Sequence, residues 1–176
     1  MINKAPNNKN YHNGNFIPKN IEKVMKLNNQ GGVFYRSSWE QRIMIWLDSN
    51  PSIKKWTAES IEIPYQVSEY NNGDLNLKSR RYYPDFYYEI EDKNGEITKV
   101  VAEVKPMAEY NDVLLLSEKK FDIKKDASMK QLKSIEYRFK MANKNLAKWE
   151  TIIKYCKLKG WRFIVITEQH LKKFNL

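Results

Sequence analysis

The apolar positions of this chain follow two different periods, and each period predicts a type of secondary structure. Between residues 34 and 50 they recur every three or four positions, which is the spacing of an amphipathic helix. Ser37 or Ser38 is the predicted N-cap, and Pro51 ends the helix. The predicted apolar face consists of Trp39, Ile43, Trp46 and Leu47.

Strand-like alternation dominates the middle of the chain. Residues 53–57 and 60–67 predict two short strands or a single bent one. Residues 80–106 predict two further strands that are joined by a turn at Asn94-Gly95, a dipeptide that favours hairpin turns. The second of these strands is apolar on both faces at its centre, which is typical of a strand that is covered on both sides of a sheet.

Helical spacing returns in the C-terminal half of the chain. From Leu132 to Cys156, apolar residues recur every three or four positions. Asn143 and Asn145 are expected to interrupt this run. A helix is therefore predicted over residues 146–158, with Gly160 as its C-terminal stop.

Shorter elements complete the predicted order. Residues 161–167 predict a buried strand, and residues 168–174 predict a short terminal helix. Residues 70–79 predict a polar loop with a turn at Asn72-Gly73-Asp74. The apolar run Leu114–Leu116 predicts a buried turn in a segment that has no other clear pattern.

The chain divides into an arm and one domain. Residues 1–32 are polar and rich in asparagine, and they predict an irregular arm with a short helix at residues 20–27. Phe16 and Ile17 are the residues expected to attach it to the domain. Residues 33–176 predict a single α/β domain in which helices flank a mixed sheet of four to five strands.

Composition narrows the possible partners. The 176 residues carry 31 Lys and Arg against 21 Asp and Glu, a net charge of +10. This excess favours a polyanion, of which nucleic acid is the commonest, although a lysine-rich source proteome explains the same number. One cysteine and two histidines exclude a disulfide within the chain and a zinc site rich in these residues. Because no membrane-length apolar run or signal-peptide pattern is visible, a reducing, cytosolic site of synthesis is expected.

The candidate chemistry lies at the open end of the predicted hairpin. Asp85 follows Pro84 on the first strand, while Glu103 and Lys105 lie two positions apart on the second and therefore share a face. If the two strands are neighbours, two carboxylates and one ammonium meet at one point. Each of these short patterns is also common in ordinary strands, where a solvated ion pair is the alternative interpretation.

Two carboxylates at one buried point predict a divalent metal ion. A buried carboxylate is costly unless it is paired or binds a metal, and two neighbouring carboxylates repel each other. Hard oxygen ligands favour Mg²⁺. Such a site suits phosphodiester hydrolysis, because the metal lowers the pKa of a bound water and screens the phosphate charge. Lys105 is predicted to orient that water or to stabilise the charge of the transition state.

Glu40 in the first predicted helix has two interpretations. The stretch Ser37-Ser38-Trp39-Glu40 has the spacing of a capping box, in which the glutamate accepts from the N-cap amide. Alternatively, Glu40 reaches the acidic cluster and supplies a third carboxylate. Loss of a cap costs about 1 kcal/mol of stability, whereas loss of a metal ligand costs activity and leaves the fold intact.

A longer series of motifs resembles one known family. The motifs are, in order, YRSSWE at 35–40, NPS at 50–52, IPY at 63–65, RYYPDF at 81–86, EVKP at 103–106, KWE at 148–150 and GWRF at 160–163. In this order they resemble the head completion nucleases of T-even-type tailed bacteriophages, which belong to the wider PD-(D/E)xK nuclease superfamily. The resemblance covers nearly the whole chain.

The resemblance implies a restriction-endonuclease-like core and Mg²⁺-dependent cleavage of DNA, in which Mn²⁺ can replace Mg²⁺. The implied metal ligands are Asp85, Glu103 and Glu40, and Lys105 is the implied residue that assists the attacking water. The predicted DNA contacts are Arg36, Arg80, Arg81 and Lys148. For Arg80 and Arg81, an ordinary salt bridge is the alternative interpretation.

The implied biological role is cleavage of DNA at the filled phage head, after packaging and before tail attachment. The resemblance implies phage head, portal or neck proteins as partners, and it places the protein in the bacterial host cytoplasm during assembly or in the virion head. One departure is that Met107–Tyr110 is neutral to acidic, where the family has a basic loop. Two alternatives remain open: a transposase- or resolvase-type endonuclease of the same fold, and a non-catalytic, DNA-binding structural protein of the head–neck region.

Overall fold

The computed structural model describes residues 12–71, 74–121 and 128–173. In chain order, the described strands are β1 (Gly14–Phe16), β2 (Val33–Tyr35), β3 (Ile53–Ala58), β4 (Ile63–Asn71), β5 (Asp74–Tyr82), β6 (Phe86–Glu91), β7 (Ile97–Val104) and β8 (Arg162–Ile166). The described helices are α1 (Ser38–Ser49), α2 (Met107–Ser117), α3 (Met129–Lys159) and α4 (Glu168–Lys173), together with a 3₁₀ turn at Ile21–Lys23. None of these helices is long and apolar enough to cross a membrane.

A mixed sheet of four strands, in the order β3-β6-β7-β8, forms the centre of the domain. β6 pairs with β3 and with β7 in antiparallel fashion, whereas β7 and β8 are parallel. The turn between β6 and β7 lies at the predicted position, and Gly95 adopts a φ of 82° there, which a residue without Cβ tolerates. The predicted α/β class and the mixed sheet are confirmed.

Both faces of the sheet are covered, as the apolar centre of β7 predicted. Alternate residues of β7 point to opposite sides. Val100 and Ala102 pack in the cluster that contains the apolar face of α1, and Val101 packs with Ile152 of α3 on the other side. The face that carries Val101 also carries Glu103, so the candidate carboxylates lie on the α3 side of the sheet.

α1 begins at Ser38 and not at Phe34. The difference arises because residues 33–35 are extended and pair with β1. Ser37 is the N-cap, since its side chain accepts from the backbone amide of Glu40 at 3.2 Å. The choice of Ser37 or Ser38 that the sequence left open is therefore resolved.

The predicted loop at residues 70–79 was wrong, because β5 runs through most of it and pairs with β4 over its whole length. Its side chains are mostly exposed, including Leu75 and Leu77. Hydrogen bonds to β4 stabilise this strand, and no two-sided burial pattern marks it in the sequence. The central part of the predicted turn, Asn72 and Gly73, lies outside the described residues.

The predicted break at Asn143 and Asn145 was also wrong, since α3 is continuous from Met129 to Lys159. Asn145 is buried, and the Asn143 side chain donates to the carbonyl oxygen of Ser68 on β4 at 2.9 Å. These tertiary contacts outweigh the small intrinsic helix penalty of asparagine. Gly160 adopts the left-handed conformation with a φ of 68°, and it ends α3 as predicted.

The segment that follows Lys105 is helical. α2 replaces the buried turn predicted at Leu114–Leu116, and both Leu114 and Leu115 are 39% exposed. Its N-terminus is satisfied by Glu168, whose carboxylate accepts from the backbone amide of Met107 at 2.8 Å. A side chain 61 residues away in sequence therefore stabilises the start of this helix, and local pattern cannot reveal such a contact.

The described part of the arm, residues 12–32, lies against the domain. The carboxylate of Asp48 on α1 accepts from the backbone amides of Lys19 and Asn20 at 2.9 and 3.1 Å. Phe16 packs on Trp56 with ring centroids 6.1 Å apart, whereas Ile17 is 58% exposed. Phe16 therefore makes the predicted attachment, and the helix predicted at residues 20–27 is reduced to the 3₁₀ turn.

Candidate active site

Asp85 and Glu103 lie opposite each other at the open end of the β6–β7 hairpin. The antiparallel register pairs Phe86 with Ala102, so one further step brings Asp85 opposite Glu103 on the same side of the sheet. Asp85 lies where the chain enters β6, and its Oδ2 accepts from the backbone amide of Val104 at 2.7 Å. The predicted meeting of the two carboxylates is therefore present.

Glu103 is a buried carboxylate with two partners. The residue is 2% exposed. Its Oε2 accepts from the Tyr82 hydroxyl at 2.6 Å, and its Oε1 lies 3.3 Å from Nζ of Lys105. One neutral donor and one ammonium thus serve a buried carboxylate that lies beside a second carboxylate. Among the described residues, Lys105 is the one ammonium within ion-pair distance of these two carboxylates, so this end of the sheet is short of positive charge at close range.

The pKa values record this imbalance. Burial and the charge of Glu103 raise the pKa of Asp85 far above its usual range, although the Val104 amide and Lys105 oppose the change. Burial lowers the pKa of Lys105, but attraction to Glu103 and Asp85 outweighs it, and the net pKa is raised. Lys105 therefore stays an ammonium, and additional positive charge at this point would favour the ionised form of Asp85.

Tyr82 remains a hydrogen-bond donor to Glu103. Burial, and then the charge of Glu103, raise the pKa of its hydroxyl. Its ring also supports a second lysine, because Nζ of Lys148 on α3 lies 4.9 Å from the ring centroid. Burial lowers the pKa of Lys148, and the charge of Glu103 partly offsets that effect. Lys148 was predicted to contact DNA, and the structure places it beside the two carboxylates.

Glu40 supports the N-cap of α1 in this structure, but it does not accept from the Ser37 amide as the capping-box spacing predicted. Its Oε1 accepts from the Ser37 hydroxyl at 2.9 Å, and its Oε2 accepts from the Arg36 backbone amide at 2.8 Å. Its charge nevertheless contributes to the raised pKa of Asp85, so the two carboxylates are close enough to interact. Across the described residues no group of three His, Cys, Asp or Glu side chains is arranged to hold a metal. Glu40 therefore does not complete a three-residue site here, and its role as a metal ligand stays a prediction.

The predicted DNA-contacting arginines lie in two places. Arg36 lies near the carboxylates, where a two-point hydrogen bond to Glu59 at 2.9 Å for each contact holds its guanidinium. Glu59 accounts for most of the rise in the pKa of Arg36, and Glu40 and Asp85 add to it. The other two arginines, Arg80 and Arg81, lie on the solvent-exposed β5 strand and pair with Glu69 and Glu62, respectively.

The donor set fits a hard divalent cation. Asp85 and Glu103 offer carboxylate oxygens, which Mg²⁺ and Mn²⁺ prefer, and Mg²⁺ commonly takes only one or two protein carboxylates. The raised pKa of Asp85 is a second reason, because a cation would remove the repulsion that causes it.

Sequence reasoning did not single out Tyr82. It belongs to the RYYPDF motif, but the sequence gives Tyr82 and Tyr83 equal weight. The difference is tertiary: Tyr82 is buried against Glu103, whereas Tyr83 is 42% exposed and bonds to Glu62. The sequence itself offers no signal that separates the two tyrosines.

Comparisons with known proteins relate this chain to nucleases. A family model described as TnsA-like endonuclease N terminal matches residues 50–168, which is more than half of the chain. A head completion nuclease of Enterobacteria phage T4 is 28% identical over 161 residues, which cover 92% of this chain and 94% of the relative. No solved structure matches the chain. The matched family region contains Asp85, Glu103, Lys105 and Lys148.

Proposed function

The chain belongs to the TnsA-like endonuclease N-terminal family and is a nuclease, and we propose that it hydrolyses DNA with Mg²⁺ or Mn²⁺ during maturation of a phage head. The single observation that carries the chemistry is the pair of buried Glu103 and half-buried Asp85, with Lys105 beside it. A structural protein that merely binds DNA has no use for two facing carboxylates at a buried point, where each raises the cost of ionising the other.

The residues divide the proposed work between them. Asp85 and Glu103 hold the cation, which when bound lowers the pKa of a water and screens the phosphate. The Tyr82 hydroxyl and the Val104 amide fix the two carboxylates by one hydrogen bond each. The ammonium of Lys105 lies on the same face and stabilises the negative charge that develops on the phosphate.

The proposed place in assembly is processing of DNA in the filled head before a tail joins. The printed name of the phage T4 relative, head completion nuclease, supports it, since that similarity spans nearly the full length of both chains. A phage encoding Asp85→Asn is then expected to accumulate DNA-filled heads without tails, which electron microscopy counts. Normal tail attachment in that phage would overturn the assembly role and leave the nuclease chemistry untouched.

The chemistry is tested by nicking of a supercoiled plasmid. The purified chain is expected to convert the plasmid to open circles with Mg²⁺ or Mn²⁺, and to lose this activity with EDTA or as Asp85→Asn. Asp74→Asn is the matched control, because Asp74 is exposed at the far end of β5. Equal nicking by the wild type and Asp85→Asn would overturn the proposal, and so would nicking that persists in EDTA.

Glu40 needs a separate test, because its oxygens also support the N-cap of α1 through the Ser37 hydroxyl and the Arg36 amide. If Glu40 acts only as a cap, Ser37→Ala and Glu40→Gln lower the melting temperature to a similar degree and leave nicking alike. We propose that it also acts on the cation, so Glu40→Gln should lose nicking at a temperature where Ser37→Ala is fully folded and active. Equal nicking by the two variants would reduce Glu40 to a cap.

A further inference from the structure

One face of α3 carries lysines at regular helical spacing. Steps of three or four residues along a helix keep side chains on one side, since each residue turns about 100°. The positions are Lys130, Lys133, Tyr137, Lys140, Lys144 and Lys148, which we call the α3 ridge. Of the two acidic residues of α3, Glu150 falls outside this arc, and Glu136 lies at its edge, three positions after Lys133 and four before Lys140.

The ridge lysines are available to a ligand. In the part of the chain that the structure describes, none of them makes an ion pair, whereas Lys78 of β5 and Lys105 each have a carboxylate partner. Lys130, Lys133 and Lys140 are exposed, and Lys144 is half-buried. A row of unpaired like charges along one side of a helix does not stabilise the fold, because neighbouring ammonium groups repel each other.

The ridge ends at the candidate active site. Lys148 lies over the Tyr82 ring, whose hydroxyl bonds to Glu103. The charges of Glu103 and Asp85 favour the ammonium of Lys148, and those of Lys105 and Lys144 oppose it. Lys148 therefore interacts electrostatically both with the carboxylate pair and with the next ridge lysine, Lys144.

Two side-chain contacts, one to β4 and one to α2, flank the ridge along α3. Asn143 ties β4 to α3 through the carbonyl oxygen of Ser68, and Arg138 ties α2 to it through the carboxylate of Asp112. At about 100° per residue, the ridge lies on the arc of α3 between these two attachment points and away from the buried face. The ridge is exposed from Lys130 to Lys140, whereas Lys144 and Lys148 are half-buried where β4 and β5 pack against α3.

We propose that the α3 ridge holds the sugar–phosphate backbone of duplex DNA on one side of the cleaved phosphate. Lys130 and Lys148 are 18 positions apart, which is about 27 Å along the helix, because an α-helix rises about 1.5 Å per residue. Because the strands of a duplex wind around its axis, a straight ridge of this length meets only the phosphates that face it, at most one for each of its five lysines. The ridge contacts phosphates only, so it supplies affinity and direction without reading sequence. The inference takes DNA as the ligand from the proposed function, but its test measures DNA binding and does not depend on cleavage.

The test measures binding separately from cleavage. A fluorescein-labelled duplex of 24 base pairs is titrated with the full chain in EDTA, and the dissociation constant is followed by anisotropy over a range of KCl concentrations. Lys140→Gln/Lys144→Gln is compared with Lys93→Gln/Lys157→Gln. The control pair has the same charge change, but Lys93 lies at the opposite end of the β6–β7 hairpin and Lys157 lies on another side of α3. Thermal melting confirms that both variants fold.

The ridge variant is expected to bind about tenfold more weakly and to lower the slope of log K against log salt by about two, one unit for each lost phosphate contact. The control pair should bind as the wild type does. Equal weakening of the two variants would reduce the effect to net charge, and unchanged binding by the ridge variant would remove the ridge from the interface; either result overturns the inference. Because binding is measured in EDTA, a failure to nick plasmid disproves the proposed function without altering this outcome.

Discussion

Two glutamates of this protein, Glu69 and Glu103, each lie beside basic groups on antiparallel strands, yet their surroundings are opposite. Glu69 on β4 is matched by Arg80, which donates three hydrogen bonds of 2.7–3.1 Å to it, and by Lys78 at 3.6 Å. Glu103 on β7 is buried, faces another carboxylate and has one ammonium partner. Glu69 therefore has two cationic partners for one negative charge, whereas Glu103 and Asp85 together have one ammonium within ion-pair distance.

The difference shows what an ion pair indicates about function. A surface pair such as Glu69 with Arg80 is complete in the free protein, so it leaves no demand for a further charge, and such pairs contribute little to stability. At Glu103 the sheet, α3 and Tyr82 exclude water, and the local charge stays negative until a cation binds. An incomplete charge balance at a buried point, more than the presence of acidic residues, distinguishes the proposed active site from the rest of the surface.

The largest expected effect contrasts the two glutamates directly. Glu103→Gln should lower nicking by more than the roughly 100-fold that loss of an outer-shell partner costs, because it removes a proposed metal ligand. It should also abolish binding of Mn²⁺ measured by calorimetry in the absence of DNA. Glu69→Gln keeps both properties. A Glu103→Gln variant that still binds Mn²⁺ as the wild type does would contradict the distinction.

An intermediate effect is expected at the tyrosine that supports Glu103. Tyr82→Phe removes the 2.6 Å hydrogen bond to Oε2 and should weaken Mn²⁺ binding and nicking by about 10- to 100-fold, the usual range for an outer-shell partner. Tyr65→Phe is the control, since its ring packs edge-on against Tyr82 at 6.5 Å without touching Glu103. If the two variants lose metal affinity equally, the effect comes from packing and not from the hydroxyl.

The metal-free protein should show pH dependences of opposite sign at the two sites. The folded-state pKa of Asp85 is raised from 3.8 to about 8, so its stabilising contribution is complete below about pH 4 and is lost as pH rises to about 8. Hydrogen bonds from Arg80 lower the pKa of Glu69, so its contribution is present above about pH 4.5 and is lost as pH falls.

Thermal melting in EDTA from pH 3 to pH 9 measures both signs. The melting temperature of Asp85→Asn, relative to wild type, should rise as pH increases from 4 to 8, while that of Glu69→Gln should recover towards wild type only at acidic pH. Adding Mn²⁺ to the wild type at pH 8 should remove most of its disadvantage relative to Asp85→Asn. A difference between Asp85→Asn and wild type that does not change with pH would contradict the raised pKa.

The smallest expected effect separates the two hairpin arginines that were predicted to contact DNA. Arg80 donates three hydrogen bonds to Glu69. The side chain of Arg81 is 71% exposed, and its 3.6 Å contact with Glu62 is longer than a hydrogen bond. Arg81→Gln should therefore weaken duplex binding by a few-fold, and Arg80→Gln should weaken it less. Anisotropy at low salt measures the order of the two, and the reverse order would mean that DNA displaces Glu69 from Arg80.

The sequence by itself determined the α/β class, the turn at Asn94-Gly95, the end of α3 at Gly160 and the opposition of Asp85 to Glu103. These features depend on local periods and on turn chemistry, and the register of a hairpin fixes which residues face each other. Lys105 followed because a spacing of two keeps it on the side of Glu103.

Only the tertiary structure decided the remaining features, because they depend on contacts between distant segments. β5 is a strand because β4 pairs with it, and α3 continues through Asn143, which bonds to β4, and through Asn145, which is buried. The charge deficit at Glu103 likewise comes from burial, which no local pattern measures. Tyr82 and Lys148 became part of the site only when β5 and α3 were packed against the end of β7.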